Sequence, residues 1–479
     1  MKVLLIQPPH YFEGFSREPD NVPLGLAYLA RSLLDHGHQV QVLDIWAHQY
    51  VREQILDDLK RREYDVIGIG ALSTQYNYVK WLTTELKALS DAPIILGGAL
   101  PTHSSDTVLN HTPVDFCVIG EGEQTLPELL DHLNTPEFVQ GIAFRKDGQV
   151  HHTPERPYVQ DLDTIPFPEW DVFPTDLYLR VNHMGLHAGY RTINLVAHRG
   201  CPYSCRYCSL TFRSVRWRSI GNIVQEIQIL QQKYGIQAID FNDELLAISK
   251  KRMYELCEGL KPLKIWWNCQ GRVNIVDHDL MKAMKDAGCV AIGFGIESGS
   301  QRILDAMDRR QTIEQSKTAL LNARKLGIEP IIQIIFGYPG ESDKTIQENI
   351  EFFREVRMRP SGFFTLTPLP GTEIYRRAFA EGRITDEDAY LQELDWGYNS
   401  GRPLLVNFTD LADNEFFQKK RDMEASIDAN YYKTHRQEQL NYYLQRIATY
   451  YRKHGLLQTM RRATRGDRPL PGVKTQFVK

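Results

Sequence analysis

Short apolar runs alternate with stretches of helical spacing along the first third of the chain. Residues 3–6, 40–43, 66–69, 94–96 and 116–119 read as buried strands. Between them, residues 23–34 place Leu26, Leu29, Ala30 and Leu33 on one face, and residues 51–62 and 76–89 also read as helices. This alternation predicts a doubly wound parallel sheet over residues 1–135, with ligands beyond the carboxyl ends of its strands. Small and polar residues collect at those ends: Ser73 and Thr74, Gly97 and Gly98, and Gly120-Glu121-Gly122-Glu123. Read alone, the glycines serve equally as tight turns.

Residues 136–188 break the pattern. Pro154, Pro157, Pro166, Pro168 and Pro174 make this a connector with short β-like pieces such as 141–144. Alternation returns over 189–375 with longer helices. Strands are expected over 193–197, 238–241, 264–267, 290–294, 330–336 and 362–366. Helices are expected over 220–234 behind Ser219 as N-cap, over 279–287 and 300–326, and up to residue 356. Residues 376–479 are rich in Tyr, Glu, Arg and Gln, with a helical run over 414–451. The last 29 residues carry eight Lys/Arg and one Asp, the pattern of a solvated end.

Composition narrows the classes. A chain of 479 residues suggests about three domains. Apolar content of 42% and charged content of 24% are those of a globular protein. A net charge of −4 gives no global pull toward nucleic acid or a membrane surface. No run approaches the roughly 18 apolar residues of a membrane span, and residues 1–7 read as a first strand, not a signal peptide. Seven cysteines, an odd number with three in one motif, argue against a disulfide framework and for a reducing cytoplasm.

That motif is Cys201-Pro-Tyr-Ser-Cys205-Arg-Tyr-Cys208, following an apolar run and Gly200. It reads as a strand ending in a loop that turns three thiolates toward one point. An iron–sulfur cubane normally takes four cysteines. Three leave one iron open to N and O atoms of a substrate or cofactor. Structural zinc wants four ligands, usually as two pairs, and no second pair follows. Cys257, Cys269 and Cys289 are single and suit buried thiols. Downstream, Asp243, Glu244 and Glu297 fall at strand ends, where acids serve as helix caps or as ligand contacts.

The spacing resembles the CxxxCxΦC signature of the radical S-adenosylmethionine (SAM) superfamily, with Tyr207 as the aromatic Φ. Gln7-Pro8-Pro9, the stretch from Pro23 to Ala30, Leu96-Gly97-Gly98, and Asp115 through Glu123 resemble the cobalamin-binding domain fused to many such enzymes. The chain is thus similar to cobalamin-binding radical SAM enzymes of the class B methyltransferase type. The resemblance implies a Rossmann-like domain, a proline-rich bridge, a partial (β/α)6 TIM-type barrel and a helical C-terminal region that shapes the substrate pocket. It implies a 4Fe–4S cluster on Cys201, Cys205 and Cys208. It implies SAM contacts from Tyr207, Asp243, Glu244, Glu297, Gly337, Tyr338 and Pro339, with Gln270 and Arg272 as further strand-end residues. Cobalamin would meet Ser73, Thr74, Gly97, Gly98, Gly120, Glu121, Gly122 and Glu123. The DxHxxG loop that brings a histidine to cobalt is absent, since Asp35, His36, Gly37 and His38 have another spacing. The corrin would therefore be held by backbone and shape. His10, His103 and His111 read as surface or loop residues, and Arg309 and Arg310 as solvated.

In the family, the cluster reductively cleaves SAM to a 5′-deoxyadenosyl radical, and methylcobalamin delivers a methyl group to an unactivated carbon. The implied activity is such a C-methylation. The rival with the same cofactors is radical cyclisation, ring contraction or oxidation. An RNA methylthiolase would need three further N-terminal cysteines, and only Cys117 precedes Cys201. A non-enzymatic cobalamin carrier would leave the strand-end acids unexplained. The expected partners are a small natural-product intermediate, a lipid or a peptide as substrate, and a reductant such as flavodoxin or ferredoxin. Neither nucleic acid nor a membrane span is expected.

Overall fold

In the computed structural model, which describes residues 1–10, 19–179, 190–394, 404–438 and 440, two sheets carry the chain. The first has the order β2-β1-β3-β4-β5-β6-β7. Its strands are β1 (Lys2–Gln7), β2 (Gln39–Asp44), β3 (Val66–Gly70), β4 (Ile94–Gly97), β5 (Phe116–Val118), β6 (Ile142–Lys146) and β7 (Gln149–His152). β1 to β5 pair in parallel. Helices on both faces bury them, which is why they read as continuous apolar runs. The order changes direction between β1 and β3, and this leaves a crevice beyond Gln7 and Gly70. The helices Leu24–Asp35 and Tyr76–Leu89 form where the spacing predicts them.

β6 falls on the β-like piece expected over 141–144; it pairs antiparallel with β5, and β7 pairs antiparallel with β6. Ile142, Ala143 and Phe144 are buried. Their packing against β5 extends the sheet to His152, beyond residue 135.

The second sheet is parallel throughout, in the order β15-β14-β13-β12-β11-β8. It comprises β8 (Thr192–Leu195), β11 (Ala238–Phe241), β12 (Trp266–Gly271), β13 (Cys289–Glu297), β14 (Glu329–Phe336) and β15 (Gly362–Thr365). This is the half-open six-stranded barrel the alternation leads to. Between β8 and β11, β9 (His198–Arg199) and β10 (Arg216–Trp217) pair antiparallel and bracket the cysteine loop. The helix Ile220–Tyr234 starts at Ser219, whose Oγ accepts from the Asn222 amide at 3.1 Å.

Two boundaries shift for local reasons. Lys264 adopts a left-handed conformation (φ 50°), so β12 begins later and contains Gln270. The helix expected over 300–326 is two helices, Gln301–Ala306 and Ile313–Lys325. Asp308 and Arg310, both at φ 51°, interrupt it.

The halves are fastened by buried polar contacts. Asn194 on β8 accepts from the Val22 amide at 3.0 Å and donates to the Val22 carbonyl at 2.9 Å. The C-terminal helix Asp413–Tyr432 packs on Asp343–Val356, with Phe416 edge-on to Phe336 at 4.9 Å. The helix Glu387–Glu393 packs on the helix Tyr76–Leu89, where Asp388 accepts from Lys80 Nζ at 2.8 and 3.0 Å. The expected helix beyond residue 440 and the basic tail lie outside the described residues. Among the described residues no helix is long and apolar enough to cross a membrane.

Candidate active site

The cysteine loop is pinned where it leaves β9. Gly200 (φ 93°) lies so close to the opposing strand that a Cβ would come within 2.2 Å of the Ser214 carbonyl oxygen. The Cys201 amide donates to Phe212 O at 3.3 Å and the Cys208 amide to Cys205 O at 3.1 Å. Cys201 packs with Leu210 and Leu245, flanked by Tyr203, Cys208 and Ile248. Burial raises the pKa of the Cys201 thiol and pushes that of Cys208 up to about 12, and each thiol is raised further by neighbouring Cys205. Such thiols shed their protons only when a cation takes their place. Among the described residues, no group of three or more His, Cys, Asp or Glu converges on one ion. A cubane fits this arrangement better than a single metal, because each thiolate binds a different iron.

Around Cys205 stand residues that the sequence scattered. Arg309 Nη1 lies 3.5 Å from its Sγ and Arg272 Nη1 lies 3.9 Å away. Arg309 Nε and Nη2 donate to the Gly295 carbonyl at 3.2 and 2.8 Å, and Nη2 lies 3.7 Å from Glu297 Oε1. Arg272 stacks its guanidinium on Tyr203 at 3.8 Å and donates through Nη2 to the Arg309 carbonyl. Glu297 sits at φ 63° beside a register shift in β13. Burial raises its pKa, while Arg309 and a hydrogen bond from Tyr207 lower it. Gly293 and Gly295 make room for these side chains. A Cβ on Gly293 would meet Gln270 Oε1 at 2.3 Å, and one on Gly295 would meet Glu297 and Arg309. Arg309 is thus mostly buried, not solvated, whereas Arg310 is exposed and pairs with Asp308.

At the end of β11 the acids divide. Asp243 accepts from the Ala197 amide at 3.0 and 3.1 Å and from the His198 amide at 2.8 Å. His198 Nδ1 lies 2.7 Å away, at ion-pair distance though outside hydrogen-bond direction, and both side chains are fully buried. Asp243 is therefore a strut beneath the cysteine loop, not a ligand-facing group. Glu244 and Asn242 face a cavity, and burial raises the Glu244 carboxyl.

Gly337, Tyr338 and Pro339 lie away from the cavity that Glu244 and Asn242 face. Tyr338 is buried and donates its hydroxyl to Ala306 O at 3.0 Å. With Pro339 it lines a separate small cavity of about 140 Å³ beside Arg206 and Glu373. Gly337 donates its amide to Glu341 at 3.4 Å, in the turn that opens the helix Asp343–Val356.

A cavity of about 430 Å³ lies between the two sheets. Gly97, Gly98 and the Gly120–Glu123 turn form part of its wall. Ser73 and Thr74 do not; Leu72 and Gln75 of the same turn take their place. Gln75 Nε2 donates to the Pro8 and Pro9 carbonyls at 3.2 and 3.0 Å, tying the Gln-Pro-Pro loop to the β3 turn. His10 lies in this wall, edge-on to Trp46 at 5.4 Å. The barrel closes the other side with Val196, His198, Arg199 and Phe212, none of which the sequence reading singled out. The Glu121 and Glu123 carboxylates turn away from a ligand role. Arg199 donates to both, at 2.6 Å to Glu121, and Arg216 donates to Glu121 at 2.8 and 2.9 Å. Arg199 lies just before Gly200, but only the folded chain brings it to residue 121. The wall suits a corrin held by backbone and shape, being glycine-rich on one side and apolar on much of the rest. His36 takes no part: its Nδ1 bonds Ser32 O at 2.7 Å.

Comparison with known proteins agrees with this geometry. Residues 14–130 match the B12 binding domain and residues 195–353 the radical SAM superfamily. An uncharacterised methyltransferase of Pyrococcus horikoshii is 32% identical over 396 residues, covering 80% of this chain and 84% of that one. Cytidylyl-2-hydroxyethylphosphonate methyltransferase of Streptomyces wedmorensis is 26% identical, covering 90% and 91%. Anaerobic magnesium-protoporphyrin IX monomethyl ester cyclase of Rubrivivax gelatinosus is 27% identical, covering 81% and 72%. In fold, the chain resembles the radical SAM methyltransferase TsrM from Kitasatospora setae (TM-score 0.67, 18% identity, 80% and 78% covered). It also resembles the cobalamin-dependent radical enzyme OxsB (TM-score 0.70, 18% identity, 97% and 74% covered). The chain belongs to the cobalamin-binding radical SAM enzymes, with a 4Fe–4S cluster, SAM and cobalamin as its cofactors.

Proposed function

We propose that this enzyme transfers a methyl group to a carbon that bears no acidic hydrogen. One observation carries the reading: a single cavity is walled by the strand ends of both sheets, Gly97 and Gly98 on one side and Asn242 and Glu244 on the other. A methyl source and a hydrogen-abstracting group bound at these two walls would face one substrate. When bound, the cofactors supply the carbon radical and the transferable methyl that general base chemistry cannot provide for such a carbon. The protein's own residues bind and orient. Cys201, Cys205 and Cys208 hold the cluster. Glu244 and Asn242 meet the SAM amino group, and the Gly97–Gly98 and Gly120–Gly122 turns receive the corrin. Asp243 fixes the strand entering the cysteine loop. The apolar wall, including Leu26, Ile69 and Val196, excludes water from a reactive site.

In this reading residues 1–135 form the core of the corrin domain, 189–375 the catalytic barrel, and 376–479 the region that shapes the substrate site. A low-potential donor such as flavodoxin or ferredoxin supplies the electron in a reducing cytoplasm. Similarity to a ring-forming cyclase supports a second reading, radical cyclisation at the same site.

The test is anaerobic reconstitution with iron, sulfide and hydroxocobalamin, followed by methyl-labelled SAM and a strong reductant. Methyl transfer predicts 5′-deoxyadenosine together with S-adenosylhomocysteine, and label on the corrin. Deoxyadenosine alone favours the cyclase reading. Equal deoxyadenosine from wild type and Cys205→Ala would defeat both.

A further inference from the structure

Of the seven non-glycine residues at positive φ among those described, Asp308 and Arg310 flank Arg309, and Glu297 lies 3.7 Å from its Nη2. Such conformations cost energy and persist where surrounding structure enforces them. Here Asp308 and Arg310 break a helix that the sequence would continue, and the break delivers Arg309 Nη1 to 3.5 Å from Cys205 Sγ.

The charge balance there is uneven. Arg272 and Arg309 are both largely buried. Among the described residues, Glu297 is the one carboxylate at ion-pair distance, 3.7 Å from Arg309. Two buried guanidinia against one carboxylate leave a positive excess, which is costly unless an anion lies beside them. The sulfur both point at is Cys205, and no guanidinium hydrogen bond to Cys201 or Cys208 is found among the described residues.

We infer that Arg309, backed by Arg272, sets the reduction potential of the cluster through N–H···S hydrogen bonds to the Cys205 sulfur. This rests on the reading that Cys201, Cys205 and Cys208 hold a 4Fe–4S cluster. The cluster accepts one electron from a low-potential donor of the flavodoxin or ferredoxin class, and no bond forms or breaks at Cys205. Reduction adds one negative charge, so hydrogen bonds and cations at a ligating sulfur favour the reduced form and raise the potential. Arg309 is a positioning residue in this scheme. The strained backbone at 308–310 aims it, and the Gly295 carbonyl holds it.

The experiment is a redox titration of the anaerobically reconstituted holoprotein, followed by electron paramagnetic resonance. Arg309→Gln is expected to lower the reduced-to-oxidised ratio at fixed potential about tenfold, a shift of about 59 mV for a one-electron couple. Arg309→Lys should recover part of the shift, and Arg310→Gln should show none. A fully iron-loaded Arg309→Gln variant with the wild-type midpoint overturns the inference, including the case where only SAM affinity falls. If Arg309→Gln loses its iron, wild-type protein labelled with ¹⁵N-arginine decides. Hyperfine coupling of guanidinium nitrogen to the reduced cluster is expected, and its absence overturns the inference. Wild type that forms no cluster would instead defeat the functional reading itself.

Discussion

Arg216 Nη1 donates to both carboxylate oxygens of Glu121, at 2.8 and 2.9 Å, joining the turn after β5 to the strand that closes the cysteine loop. Both side chains are almost fully buried. Arg199 completes the group from Glu121 to Glu123. The acids of the Gly-Glu-Gly-Glu turn thus orient the corrin wall relative to the cluster loop.

Glu121→Gln is expected to destabilise the protein by about 3 kcal/mol, since it strips buried arginines of their countercharge. Urea unfolding of the apoprotein measures this. If Glu121 served only as a corrin ligand, apoprotein stability would be unchanged and cobalamin affinity alone would fall.

Asp243 and Glu244 are adjacent in sequence but should respond differently. Asp243→Ala leaves two buried backbone N–H groups without an acceptor, at about 1–3 kcal/mol each. Iron retention after reconstitution should fall with stability. Glu244→Gln should keep iron and melting temperature while weakening SAM binding, read by equilibrium dialysis. Parallel losses in both variants would contradict the division.

Gly98 has φ 96°, and a Cβ there would meet the Ala71 carbonyl oxygen at 2.6 Å. Backbone cannot yield, so Gly98→Ala should displace the β3 and β4 turns and lower cobalamin affinity at least tenfold, a cost of about 1.4 kcal/mol. At Gly122 the obstructing atom is Leu29 Cδ2 at 2.9 Å, the end of a flexible side chain. Gly122→Ala should bind cobalamin nearly as wild type does. Spectrophotometric titration with hydroxocobalamin compares the two.

Asp44 supplies a pH dependence away from the site. It accepts from the Tyr178 hydroxyl at 2.6 Å and the Ala47 amide at 2.9 Å, and burial raises its pKa to about 6. The unfolded chain loses this proton near pH 4, and the folded chain near pH 6. The folded state binds more protons between those values, so this group lowers stability as pH rises through that window, by about 3 kcal/mol in all. Above it the contribution is level. Asp44→Asn removes the effect, so its stability relative to wild type should rise from pH 4 to pH 7. A constant difference across that range would refute the assignment.

Local chemistry made much of this protein legible. The helix 220–234 could be read from its apolar spacing and Ser219, because a cap and an amphipathic stripe act within a few residues. The strands of both sheets were legible because burial on two faces demands apolar runs. CxxxCxxC marked the cluster site because three ligands of one group must sit close together on a short loop. What the sequence could not decide was the direction of each polar side chain. Asp243 and Glu244 are neighbours with the same charge, yet one supports backbone amides and the other faces the cavity. Nothing local distinguished Arg309 from Arg310. Two left-handed residues and the Gly295 carbonyl, fourteen residues away in sequence, turn one inward to Cys205 and leave the other in solvent. Hydrophobic burial is set by pattern along the chain, whereas the pairing of buried charges depends on which groups the fold brings within a few ångströms, and that only the tertiary structure decides.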